Sequence, residues 1–347
     1  MSESLVQIGA KAPAPRPKTG AEKVVQLGAQ AASPCAPPKV EKLVKIGAEA
    51  PPRREPRPDW LKVRLATPSE YHKVRRLVEK LNLNTVCEEA RCPNIYECWG
   101  QHGTATFMIL GDICTRRCGF CAVATGRPKK GVDVDEPDHV AEAVETMGLR
   151  HAVITSVDRD DLPDGGAEHF ANVIDAIHER NPETAVEVLT PDFRGVGEAL
   201  DIVLGARPEV FSHNMETVPR MYRKARPGSR YERSLDLLAD ASRRREAGEY
   251  DGRVKTALMM GIGETDDEIR TTLEDIRCAG VEIVTLGQYL QPTKQHLPVD
   301  RWVSPAEFDE LRSYALGLGF DHCEAGPLVR SSYHAHEHVK GAAAARS

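Results

Sequence analysis

Cys114-Thr-Arg-Arg-Cys118-Gly-Phe-Cys121 follows an apolar run, Thr104-Ala-Thr-Phe-Met-Ile-Leu110, across the link Gly111-Asp-Ile. Seven residues of this kind, bounded by a glycine, predict a buried strand over 104–110 that ends in a turn. That strand delivers three thiols, spaced C-x3-C-x2-C, onto one short loop. Downstream the rhythm repeats. Apolar strands are predicted over 151–155, 185–189, 210–213, 254–260 and 281–286, with helices at 137–147, 231–248 and 266–279 between them. Short apolar strands alternating with helices of 10–18 residues imply right-handed βαβ units and a parallel sheet. Six such strands predict an α/β fold, a partial (β/α)6 TIM-like barrel, whose site lies at the carboxyl ends of the strands.

Three soft thiolates on one loop suit an iron–sulfur cluster. They can hold three irons of a [4Fe–4S] cube and leave the fourth open to chelate S-adenosylmethionine (SAM). A thiol triplet after the first strand of a β/α protein resembles the radical SAM superfamily. There the cofactor carries the radical chemistry and the protein supplies placement and exclusion of water. The alternative is zinc, but structural zinc is closed by four ligands, and this loop offers three. His102 and His139 are the residues that could complete a zinc site.

A second triplet lies upstream: Asn84-Thr-Val-Cys87-Glu-Glu-Ala-Arg-Cys92-Pro-Asn-Ile-Tyr-Glu-Cys98-Trp-Gly100. Six thiolates exceed what one tetrahedral metal takes, so a second cluster is expected. This stretch resembles the auxiliary-cluster motif of the lipoyl synthases, and so does Gly326-Pro-Leu-Val-Arg-Ser-Ser-Tyr-His-Ala335 near the other end. The similarity runs from about Trp60 to Ala335. It departs from the family pattern at Cys323-Glu324, where small or aliphatic residues are usual, and in the N-terminal tail.

The resemblance implies two [4Fe–4S] clusters, with Cys114, Cys118 and Cys121 on the SAM cluster. Cys87, Cys92 and Cys98 would hold the auxiliary one, with Ser332, or less favourably Ser331, as its oxygen ligand. The alternative for the Ser-Ser pair is an ordinary turn. The implied reaction uses two SAM per product and inserts two sulfur atoms, drawn from the auxiliary cluster, at C6 and C8 of an octanoyl-lysine. The implied partners are an octanoylated lipoyl carrier domain (a 2-oxoacid dehydrogenase E2 or the glycine cleavage H protein), a flavodoxin or ferredoxin as electron donor, and a cluster-repair protein. Another radical SAM sulfur-inserting enzyme or a non-catalytic iron–sulfur or zinc scaffold are the competing readings.

Further cofactor-binding candidates sit around the strand ends. Phe120 lies within the thiol loop. Gly165 and Gly166, in Asp164-Gly-Gly-Ala167, let backbone carbonyls approach a ligand, although a plain βα turn needs the same residues. Asn214 is a candidate ribose contact, Glu187 could point into the barrel, and Gly261-Ile-Gly-Glu264 could pack on adenine. Arg194 and Arg330 suit a methionyl carboxylate because guanidinium is permanently charged and bidentate.

Composition sets the organisation. Hydrophobic residues make up 41% of the 347-residue chain, enough for a sizeable core. No apolar run reaches the roughly 18 residues a membrane span needs, so no membrane partner is expected. Met1-Ser-Glu-Ser-Leu lacks a basic segment leading into an apolar one, so no secretory signal is expected. With six of nine cysteines between Cys87 and Cys121, metal binding in a reducing cytoplasm is favoured over disulfides.

Residues 1–57 carry ten Lys/Arg against five Asp/Glu, a local charge of +5; the remainder then holds −11 of the total −6. An acidic body argues against nucleic acid. The same 57 residues have no aromatic side chain and predict a disordered tail. The tail holds three imperfect 19-residue repeats: Leu5-Val-Gln-Ile-Gly-Ala, Val24-Val-Gln-Leu-Gly-Ala and Leu43-Val-Lys-Ile-Gly-Ala. Neutral duplication explains them more simply than a docking motif on a tether. The expected division is a tail over 1–57, an auxiliary-cluster extension over 58–103, the barrel over 104–325 and a C-terminal segment over 326–347. The run His334-Ala-His336-Glu-His338 falls in that last segment.

Overall fold

The structure, a computed structural model, describes residues 56–62, 69–89, 92, 94–99 and 104–332. The tail repeats and the histidine run lie outside the described residues. Helix α1 (Ser69–Lys80) buries Val74 and Val78 on one face, with Leu81 just beyond its end. It leads to the short strand β1 (Asn84–Thr85) and the single turns α2 (Val86–Glu89) and α3 (Ile95–Glu97). Strand β2 (Thr104–Ile109) is buried at every position. The turn after it places Leu110 and Gly111 at φ +68° and +94°. Two short strands, β3 (Ile113–Cys114) and β4 (Ala124–Thr125), pair in parallel and bracket the thiol loop.

From here the chain alternates: α4 (Glu136–Met147), β5 (His151–Ser156), α5 (Ala167–Arg180), β6 (Ala185–Leu189), α6 (Gly197–Gly205), β7 (Val210–Ser212), α7 (Tyr222–Ala225), α8 (Tyr231–Glu246), β8 (Arg253–Met260), α9 (Asp266–Cys278), β9 (Ile283–Gln288), α10 (Pro305–Gly317) and β10 (His322–Gly326). The helix ends follow local chemistry. Thr265 with Glu268 and Ser304 with Glu307 form capping boxes at α9 and α10, each satisfying two N–H groups that a helix start leaves open. Gly148, left-handed at φ +60°, closes α4.

The main sheet has the order β1-β2-β5-β6-β7-β8-β9-β10. Every neighbouring pair is parallel except β1–β2. The six predicted strands are present, and β10 adds a seventh parallel one. Side chains alternate across each strand. Ala105, Phe107 and Ile109 join the apolar layer under the helices, as do Ala152, Ile154, Val186, Val188, Val284 and Leu286. Thr106, Thr155, Glu187, Lys255 and Thr285 fall on the other face, the lumen.

The sheet must curl. A flat sheet would set β2 and β10 about 29 Å apart at ~4.8 Å per strand. Yet Ser332, six residues beyond Gly326, accepts a hydrogen bond from Thr106 of β2; with the turn closed by Val329 N on Gly326 O, the segment, its side chain and that bond reach at most about 26 Å. The C-terminal segment therefore bridges the two ends of an open barrel. Among the described residues no helix is long and apolar enough to cross a membrane.

Candidate active site

The thiol loop is fixed along its length. Gly119 donates its N–H to Ala225 O (2.8 Å) and accepts from Leu297 N (2.8 Å). His296 Nε2 lies 2.8 Å from Cys121 O. A Cβ on Gly119 would stand 2.9 Å from Leu297 Cγ, so only glycine fits between these strands of chain. Cys114 is buried; Cys118 and Cys121 are half-buried. Burial pushes the Cys114 thiol up to about 12, and the Asp158 carboxylate beside it acts in the same direction. Burial likewise pushes Cys118 up to about 12, with the Arg226 guanidinium opposing. The N–H groups of Arg116 and Asp158 point at Cys114 Sγ at 3.4 and 3.3 Å.

Arg116, inside the loop and almost fully buried, ties it to the ends of two strands. Its guanidinium reaches Asp158 (3.2 Å), Asp160 (2.7 Å) and Asp192 (2.7 Å) and donates to Ser229 Oγ at 3.1 Å. Asp158 and Asp160 follow β5, and Asp192 follows β6. Planar, bidentate geometry suits Arg and would not suit Lys.

Beside Cys118 lies a second polar group at the end of β7. Asn214 donates to Glu216 Oε1 (3.1 Å), and its backbone carbonyl accepts from Arg226 (2.6 Å). Glu216 holds a left-handed φ of +65°, a strained conformation of the sort stored at functional sites. Asn214 Oδ1 and Arg226 Nε are buried without a hydrogen-bond partner in the protein. Buried polar atoms left open in this way cost stability unless a ligand or water completes them.

The remaining sequence candidates divide. Phe120 is half-buried on the loop, packed against the core. Gly165 and Gly166 follow β5 at φ +64° and +94°; a Cβ on Gly166 would meet Leu110 Cδ1 at 2.4 Å. Gly165 and the exposed Arg194 line one cleft of about 440 Å³ together with Asp160, Asp161 and Phe193. Glu187 does face the lumen, but its carboxylate is taken by Lys255 Nζ at 2.8 and 3.1 Å, with His151 Nε2 at 3.4 Å. The Gly261-Ile-Gly-Glu264 turn closes on itself: the Glu264 carboxylate accepts from three successive N–H groups, Gly261, Ile262 and Gly263. Arg330 is separated from Arg194. It neighbours Cys92, and burial lowers its affinity for its proton while the Cys92 charge opposes.

The upstream cysteines and the C-terminal segment meet. Cys87 lies on α2, and Cys98 caps α3. Cys92 N donates to Cys87 O (3.0 Å), and Cys98 N to Asn94 O (2.9 Å). Asn94 Nδ2 donates to Leu328 O at 2.7 Å, holding the C-terminal segment to this extension. Burial, with Cys92 adding to it, pushes the Cys87 thiol up to about 12; hydrogen bonds from Thr106 and Trp99 oppose. Thr106 Oγ1 donates to Ser332 Oγ at 3.1 Å. Of the two C-terminal serines, Ser332 is thus the one brought beside Cys87. Arg116, Glu216, Arg226 and Thr106 escaped sequence reading. Arg116 sat inside the quoted thiol loop, Thr106 inside the predicted strand 104–110 and Glu216 three residues past the predicted strand 210–213, but no local pattern marked their side chains.

Both donor sets fit iron–sulfur clusters in their chemistry. Burial holds the thiols of Cys87, Cys92, Cys114, Cys118 and Cys121 neutral until a cation displaces the protons. Among the described residues no three His, Cys, Asp or Glu side chains close on a single-ion position.

Comparison with known proteins agrees. A family model for the Radical SAM superfamily matches residues 108–276, and one for the N-terminal domain of lipoyl synthase of the Radical SAM family matches 38–92. A Rubrobacter xylanophilus protein named lipoyl synthase is 54% identical over 291 residues, 83% of this chain and 88% of that one. A Methylococcus capsulatus lipoyl synthase is 57% identical over 281 residues, 80% of this chain and 85% of that one. The crystal structure of Streptococcus suis SuiB bound to precursor peptide SuiA superposes with a TM-score of 0.50 at 12% identity, over 74% of this chain and 52% of that one, a likeness of fold. With a thiol loop behind the first parallel strand, a second triplet beside a C-terminal serine, and relatives this similar along most of its length, the chain belongs to the lipoyl synthase family of the Radical SAM superfamily.

Proposed function

We propose that this chain is a lipoyl synthase, which inserts two sulfur atoms at C6 and C8 of an octanoyl-lysine on a lipoyl carrier domain. The observation that supports this reading is the hydrogen bond from Thr106, which neighbours Cys87, to Ser332, in the same barrel that presents Cys114, Cys118 and Cys121. When bound, SAM and two [4Fe–4S] clusters supply a carbon-centred radical and the sulfur, chemistry no acid–base pair could perform on unactivated C–H bonds.

The protein's part is placement. Cys114, Cys118 and Cys121 would hold the cluster that binds SAM. Asn214 and Arg226, with Glu216 beside them, offer open polar atoms to the charged and hydroxyl groups of SAM. Gly165 and Arg194, which line one cleft, and Gly166, which packs on Leu110 where no Cβ fits, serve the same ligand. Glu187 acts at one remove, by neutralising Lys255 inside the lumen. Arg330 holds its charge next to Cys92. The substrates that fit this chemistry are octanoylated 2-oxoacid dehydrogenase E2 or glycine cleavage H domains. A flavodoxin or ferredoxin would supply electrons, a repair protein would restore the consumed cluster, and the setting is cytoplasmic.

The test is anaerobic reconstitution with iron and sulfide. The wild type should hold about eight irons, and Cys87→Ala/Cys92→Ala/Cys98→Ala about four. The triple variant should still cleave SAM and form no sulfur-bearing product. Zinc in place of iron, or four irons in both proteins, would refute the reading.

A further inference from the structure

We propose that Thr106 is a positioning residue of the auxiliary site, whose hydroxyl holds Ser332 Oγ in place beside Cys87. The inference rests on the reading of Ser332 as a cluster ligand. Thr106 stands on the lumen side of β2, between Ala105 and Phe107, whose side chains anchor the strand in the core. It is 6% exposed, and its register against Val153 of β5 fixes its height in the barrel. A strand residue held on both sides has little freedom, so what it touches is held with it.

It touches two proposed ligands from opposite ends of the chain. Its hydroxyl donates to Ser332 Oγ at 3.1 Å, and its backbone N–H and hydroxyl lie near enough to the Cys87 sulfur to oppose the upward push of burial on that thiol. A threonine hydroxyl has one proton. In this structure it is given to Ser332. The indole Nε1 of Trp99 is buried near the Cys87 sulfur without a hydrogen-bond partner.

Among the described residues, Asn94 fastens the C-terminal segment at Leu328, Arg330 donates to the carbonyls of Val329 and Gln288, and the Thr106 hydroxyl is the group that bonds Ser332 itself. A hydrogen bond to a ligand oxygen that carries charge is of the stronger kind. Its loss should weaken the hold of the oxygen on its iron without emptying the site, because three cysteines remain.

The test compares Thr106→Val, Thr106→Ser, Ser332→Ala and the double variant Thr106→Val/Ser332→Ala after reconstitution with 57Fe. Thr106→Val should retain about eight irons and wild-type SAM cleavage. The Mössbauer signal of the iron that changes in Ser332→Ala should change in it too, and sulfur insertion should fall about tenfold. Thr106→Ser should restore both. Adding Thr106→Val to Ser332→Ala should alter the spectrum no further, since a double-mutant cycle isolates the shared interaction. If Ser332→Ala changes the spectrum and Thr106→Val does not, or if Thr106→Ser fails to rescue, the proposal is wrong while the reading of Ser332 stands. If Ser332→Ala leaves the spectrum unchanged, the reading of Ser332 itself is wrong. Thr106→Ala, which cannot overpack, carries the same comparison should the valine variant lose its fold.

Discussion

Gly287→Ala should disable sulfur insertion while sparing SAM cleavage. Gly287 lies on β9, and the C-terminal segment crosses it closely: a Cβ there would stand 2.2 Å from Val329 O and 3.1 Å from Val329 C. Real Cβ contacts do not fall under 3.0 Å, so the carbonyl must retreat by at least the 0.8 Å difference. Both atoms belong to backbone, which yields less readily than a side-chain tip. Overpacking of this kind costs about 1–3 kcal/mol, which lowers the ratio of seated to unseated segment about 5- to 150-fold. Val329 is three residues from Ser332, so the displacement falls on the auxiliary site. The Cys114 loop rests instead on the 225 and 297 segments and should be untouched. The assay is a reconstituted protein given SAM, reductant and an octanoyl-lysyl peptide, with 5′-deoxyadenosine and sulfur product measured in parallel. Deoxyadenosine should persist while product falls by at least fivefold. Wild-type product from Gly287→Ala would show that the segment need not be seated as described, and would refute the reasoning.

Arg116→Met should leave Asp192, fully buried, with Arg233 as its remaining cation, and stability should drop by about 3–5 kcal/mol, measured by urea denaturation of the apoprotein. Burial by itself would raise the Asp192 carboxyl, but the hydrogen bond and charge of Arg116 bring it down to about 2. A depressed folded-state value means stability present above the unfolded value near 4 and lost as pH falls toward 2; the slope of urea midpoint against pH in that window should flatten in Arg116→Met. His213 gives a second pH window. Burial first, and the Arg226 charge second, lower it to about 4 from 6.5. The unfolded chain therefore binds more protons between those values, and stability should rise with pH from about 4 to 6.5. Urea midpoints across that range should show the slope in wild type and its loss in His213→Asn.

The sequence showed its strands where both faces are apolar or small. The predicted span 104–110 became β2 (Thr104–Ile109), and 185–189 became β6 with the same ends. Strand β10 escaped because His322 and Glu324 alternate with Cys323 and Ala325. A half-polar lumen strand has no apolar run to announce it, and among the described residues it pairs with β9 alone. The cysteine triplets were legible from spacing because a short loop brings its own residues together. Arg116 was not: its three carboxylates lie 42 to 76 positions away. Thr106 and Ser332 stand 226 apart, and nothing in either local pattern names the other. Arg194 and Arg330 looked alike in sequence, yet one lines an open cleft and the other lies against Cys92. Glu187 lies on the lumen face, and Lys255, which claims its carboxylate, was invisible as a partner.

The bridge from β10 back to β2 ties the two margins of the open barrel together. It is fastened at Leu328 by Asn94 of the N-terminal extension and at Ser332 by Thr106 of β2. Asn94 and Thr106 come early in the chain, Leu328 and Ser332 late. The site proposed for the auxiliary cluster is therefore complete only once these distant stretches have met, whereas Cys114, Cys118 and Cys121 share one short loop from the start. A chain cut before Leu328 would keep that loop and lose the closure beside Cys87.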